Sequence, residues 1–103
     1  MDFTAVLDVV ENHMTYHLKR ERDGAGDSGG MSLALWIDDE GVMQYEHNAR
    51  PRVGVAMRVG SLFARSFQSQ DWWQTTLIKE IVEESDDCVI FKTENGSTYE
   101  WRC

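Results

Sequence analysis

His13 and His17 stand four residues apart. On a helix that spacing turns two imidazoles to the same side, where they can share a metal ion such as zinc. The glutamate of an HExxH protease is missing from Asn12-His13-Met14-Thr15-Tyr16-His17. A third ligand would have to be Glu11, Asp8 or the distant His47. Without a metal, His17 borders an apolar stripe and His13 sits at its edge. The chain is expected to hold no cofactor, with His13 and His17 as the candidates should a metal bind. Nucleophile patterns are absent. There is no GxSxG elbow, Cys88 leads into an apolar run, and Cys103 closes the sequence, so neither thiol has an evident activating base. Carboxylate pairs occur at Asp38-Asp39, Glu83-Glu84 and Asp86-Asp87. They fall in turns or strand ends, where acids are usually solvated. Acid–base catalysis needs a pocket and a shifted pKa. A non-enzymatic role is expected.

The charge pattern carries more information. From His47 to Gln70 there is no Asp or Glu, yet Arg50, Arg52, Arg58 and Arg65 all fall there, in a chain of net charge -8. Such a segment is either a basic docking surface or a set of guanidiniums paired with the chain's own acids, for which Glu80, Glu83, Asp86 and Asp87 are candidates. Just beyond it come Trp72 and Trp73. Adjacent residues on a strand point to opposite faces, so one indole can be core while the other anchors a protein partner or stacks on a base. In the remaining reading both are buried. The residues expected to bind a protein partner are Trp72, Trp73, Glu83, Glu84, Asp86 and Asp87. Arg50, Arg52, Arg58 and Arg65 are the alternative, nucleic-acid-binding set.

The elements that must position these groups follow from periodicity. Residues 3–21 read as an amphipathic helix, with Phe3, Val6, Leu7, Val10, Met14, His17 and Leu18 on one stripe. Residues 23–30, DGAGDSGG, read as a flexible linker. Residues 31–37 and 42–46 flank the turn Asp38-Asp39-Glu40-Gly41 and predict a hairpin, with Leu33, Leu35 and Ile37 on one face. Val53, Val55, Met57 and Val59 alternate as a third strand, and Gly60 permits a bend. Residues 75–84 fit a helix face, but their β-branched content favours a strand with a bulge. Around Glu94-Asn95-Gly96 a hairpin can take two registers. The one that pairs Phe91 with Tyr99 and Val89 with Trp101 gathers the apolar side chains on one face, so burial selects it. That register keeps Cys88 and Cys103 apart, and no disulfide is expected. The predicted fold is α+β: one helix on a strongly curled, mostly antiparallel sheet of five or six strands, in a single domain spanning residues 1–103.

The bend-containing run 53–67, the segment 75–82 and the terminal hairpin together resemble a small SH3-like barrel over roughly the C-terminal half. Small size, acidity and single-domain economy also resemble phage-encoded proteins that block host enzymes or defence systems. That likeness is one of class and assigns no residue a role. Hydrophobic content of 42% with 11% aromatics argues for a packed domain. No apolar run approaches the roughly 20 residues needed to span a bilayer, and Met1-Asp2-Phe3-Thr4 lacks the basic start of a signal peptide. A cytoplasmic protein is expected, with no membrane partner. It is expected to be an interaction module, resembling a phage or mobile-element inhibitor, with a protein partner and the option of a homodimer through open sheet edges. The alternatives are a barrel that binds single-stranded nucleic acid and a small metal protein.

Overall fold

The computed structural model describes residues 15–61 and 72–103. Strands run over Tyr16–Arg20 (β1), Gly26–Gly29 (β2), Met31–Ile37 (β3), Met43–His47 (β4), Ala56–Gly60 (β5), Trp72–Gln74 (β6), Ile78–Glu84 (β7), Cys88–Thr93 (β8) and Thr98–Arg102 (β9). They form two antiparallel sheets, one in the order β2-β1-β9-β8-β7 and the other β4-β3-β5-β6.

The expected α+β class is therefore corrected to all-β: no helix occurs among the described residues, and two sheets replace the single curled one. Within the expected helix, Tyr16 and Leu18 are buried while His17 and Lys19 are exposed, the two-residue period of a strand. β1 is paired on both sides, with Leu18 opposite Asp27 on β2 and Trp101 on β9. Such long-range pairing outweighs a weak local helical preference. Residues 3–14 of that expected helix lie outside the described residues.

The segment expected to be a linker also contains a strand. Glycine makes this possible by allowing backbone to approach backbone. A Cβ at Gly29 would lie 2.1 Å from the carbonyl oxygen of Gly60, and one at Gly26 would lie 1.8 Å from that of Leu18. β2 then runs through Gly30 into β3, carrying the chain from the five-stranded to the four-stranded sheet. β6 runs into β7 through residues 75–77 and makes the opposite passage. At that corner Thr75 N–H donates to the Met57 carbonyl (2.9 Å), Thr75 Oγ1 accepts Met57 N–H (3.0 Å), and Ile78 N–H donates to the Val55 carbonyl (2.8 Å). Strands that bend from one sheet to the other form the corners of such packings.

Between the sheets lies one core, which includes Leu18, Met57, Val59, Val89, Phe91 and Trp101. β8 and β9 pair Phe91 with Tyr99 and Val89 with Trp101, with Gly96 at φ 87°, the register that burial favours. Cys88 lies opposite Arg102, and both thiols are free. β7 is a strand with two register irregularities against β8. Among the described residues no helix is long and apolar enough to cross a membrane.

Candidate interaction surface

The described arginines of the acid-free window each fold back onto the protein. Arg50 donates to the carbonyls of Ser85 (2.5 Å) and Asp86 (2.6 Å) and to the Glu84 carboxylate (3.2 Å), fastening the segment after β4 to the β7–β8 turn. Arg52 pairs with Glu46 at 2.7 Å. Arg58 donates Nε and Nη2 to Gln74 Oε1, at 2.9 and 2.7 Å. Arg65 lies outside the described residues.

Each of the chain's four tryptophans has a guanidinium over its ring. The distances to the ring centroid are 4.0 Å for Arg58 on Trp72, 5.0 Å for Arg52 on Trp36, 5.0 Å for Arg20 on Trp73 and 5.4 Å for Arg50 on Trp101. A cation over an indole face is held by the ring quadrupole, at about 0.5–1 kcal/mol where exposed and more where desolvated. These arginines are thus engaged twice, by an acid, amide or carbonyl oxygen and by an aromatic face.

Trp72 and Trp73 lie on opposite faces of β6, both half-buried. Trp73 packs against the core and donates Nε1–H to the Tyr99 hydroxyl at 3.1 Å. Trp72 lies under Arg58 on the outer face. The acids Glu83, Glu84, Asp86 and Asp87 sit at the far end of the bent β6–β7 segment, exposed around the β7–β8 turn. The structure therefore does not gather the tryptophans and acids into one site, and Glu84 and Asp86 are part of the Arg50 clamp. His17 Nδ1 shares a 2.8 Å hydrogen bond with Ser28 Oγ, while His13 lies outside the described residues. Among the described residues no three His, Cys, Asp or Glu side chains are grouped to hold a metal ion.

What the sequence reading missed is the outer side of the β3–β4 hairpin. Of the seven exposed large apolar side chains among the described residues, four belong to it: Ile37 (65% exposed), Val42 (51%), Met43 (57%) and Tyr45 (62%). The pairing places Ile37 opposite Met43 and Leu35 opposite Tyr45, so Ile37, Met43 and Tyr45 share a face, with Val42 next to Met43 at the end of the turn. On that strand the inter-sheet core takes the other face, through Ala34 and Trp36. The tip is held firmly. Asp38 Oδ1 accepts the N–H groups of Glu40 and Val42, both at 2.9 Å, and Oδ2 accepts the Gln44 side-chain amide at 2.9 Å. These bonds, that of Val42 foremost, hold the Asp38 carboxyl below the usual carboxylate range. Gly41 completes the turn at φ 82°, a conformation glycine adopts without steric cost. The sequence signal was present, in apolar residues on both arms of an acidic turn, but alternation alone does not say which face of a strand is inside.

Compared with protein-family models, curated proteins and solved structures, the chain finds no match.

Proposed function

We propose that this protein is a non-enzymatic protein-binding module and that the β3–β4 hairpin is its contact surface. The observation that carries this reading is the concentration of exposed apolar side chains, Ile37, Val42, Met43 and Tyr45, on one rigid hairpin. Contiguous exposed apolar surface bordered by polar groups is characteristic of protein interfaces. The bordering groups here are Asp38, Asp39 and Glu40 at the tip and Glu46 on the strand. Arg50, Arg52 and Arg58, which a nucleic-acid surface would require, would each have to leave a partner inside the protein to reach a phosphate. The net charge of -8 also opposes the approach of a polyanion.

The test is affinity capture with the full chain from a lysate of the source organism or its host, with and without nuclease. The expected result is a stoichiometric protein retained after nuclease. Capture that disappears with nuclease would overturn the reading in favour of nucleic acid, as would direct binding to single-stranded DNA whose affinity falls steeply with salt.

A further inference from the structure

Among the described residues four strands stand at sheet edges: β2 and β7 in one sheet, β4 and β6 in the other. An edge strand presents unpaired N–H and C=O groups to which another strand can bond. Three of these edges have features that oppose it. β2 is four residues long, and its Gly29 abuts the end of β5. The described part of β6 is three residues long and leads directly into the corner. β7 breaks register twice and exposes Lys79 with Glu80, Glu83 and Glu84. Bulges, short length and edge charges are the usual means of discouraging strand addition.

β4 has much less protection. Its five residues pair with β3 in unbroken register, from Met43 opposite Ile37 to His47 opposite Leu33, and contain no Lys, Pro or Gly. The phase of the ladder shows which groups face outward. Asp38 N–H donates to the Val42 carbonyl at 2.9 Å. Bonded and non-bonded pairs alternate in an antiparallel ladder, so Val42, Gln44 and Glu46 bond inward to β3. Met43, Tyr45 and His47 therefore direct their N–H and C=O groups to the open side. Among the described residues no strand pairs with them. Two of these residues, Met43 and Tyr45, also carry exposed apolar side chains.

We infer that β4 binds its partner by strand addition, and that the added segment alternates apolar and basic side chains. This inference rests on the protein-binding reading and specifies its mode. Unpaired backbone groups in strand geometry call for an extended backbone with the complementary pattern. Apolar residues of one parity would lie beside Met43, Tyr45 and Ile37. Basic residues of the other parity would lie on the Glu46 face, where Arg52 already pairs with Glu46, so the carboxylates left for them are the exposed ones of Asp39 and Glu40 at the turn. A second copy of this chain supplies the edge but the wrong charge, since it brings -8 against -8.

The probe is a ten-residue synthetic peptide alternating valine and lysine, titrated into the full-length protein and followed by NMR amide exchange. A valine–glutamate peptide serves as the charge control. The valine–lysine peptide is expected to slow exchange at Met43, Tyr45 and His47, with much smaller effects at Gln44 and Glu46. Tyr45→Pro removes an outward N–H that no described strand pairs with, and proline is tolerated at such edge positions. Its affinity for the peptide is expected to fall about tenfold or more. A peptide N-methylated at alternate residues tests the same bonds with the unaltered protein and is expected not to bind. Protection that maps to β7, equal binding of the glutamate or N-methylated peptide, or unchanged binding by Tyr45→Pro would overturn strand addition at β4. So would concentration-dependent protection of these amides in the protein alone, which would assign the edge to a second copy. A lysate partner lost by an Ile37→Lys/Met43→Lys variant but kept by Tyr45→Pro would leave the protein-binding reading standing and remove this mode.

Discussion

Ser32 is a small hydroxyl residue in an apolar strand, and it joins three distant parts of the chain. Trp101 donates Nε1–H to Ser32 Oγ at 3.0 Å, the hydroxyl donates to the Ala49 carbonyl at 2.9 Å, and Ala49 N–H returns to the Ser32 carbonyl at 3.1 Å. Ser32 and Trp101 are each 1% exposed, so water cannot replace a lost partner. Ser32→Ala is expected to cost about 2 kcal/mol, the penalty for leaving a buried indole N–H and a carbonyl unsatisfied. Urea unfolding would measure it, and a change close to zero would contradict the role. Nothing local marks Ser32, because its indole partner lies 69 residues away. The Arg–Trp stacks were illegible for a related reason. The arginine cluster and the adjacent tryptophans stood out in the sequence, but which ring meets which guanidinium depends on sheet order. Asp23 offers a second residue-scale test. Arg20 binds its carboxylate with two hydrogen bonds, and this, followed by the Ala25 N–H, lowers its pKa to about 2 from 3.8. A depressed carboxylate pKa stabilises the fold above the unfolded value. That contribution is lost as pH falls from about 4 through about 2. A carboxyl-carbon NMR titration of the native protein should place the midpoint near the lower value, and a midpoint near 3.8 would contradict the Arg20 pairing.

Elements were legible where alternation and turn chemistry agreed. The β3–β4 and β8–β9 hairpins had strong turns, and for the latter the apolar parity selected the observed register. The helix expected over residues 3–21 failed within β1 because Leu18 fits both a helical stripe and an alternating strand. Only the pairing with β2 and β9 separates the two. β2 was hidden because glycines that cost entropy in a free chain are required where two backbones meet. Gly29→Ala is expected to destabilise the protein by roughly 1–3 kcal/mol, the range for forcing extra atoms into a packed site, because the added methyl would strike backbone atoms of Gly60 and Ser61 rather than a flexible side chain. Thermal unfolding would report it, and an unchanged midpoint would mean that β2 does not abut the end of β5. Thr75, the other corner's side-chain link, read from sequence only as a β-branched residue.

At the scale of the whole molecule, the charge break that dominates the sequence becomes largely internal. Arg50, Arg52 and Arg58 fasten loops and indoles, while exposed apolar surface collects on the β3–β4 hairpin. Of the candidate site, composition and the hairpin were legible. The outward face was not, because it depends on how two sheets close over a common core. The central claim is that this hairpin captures a protein partner. Its most direct test is nuclease-treated affinity capture with the wild-type chain beside Ile37→Lys/Met43→Lys, after matched NMR spectra establish that both are folded. We expect the partner to be retained by the wild type and lost by the variant. Equal capture of the same partner by both proteins would contradict the claim.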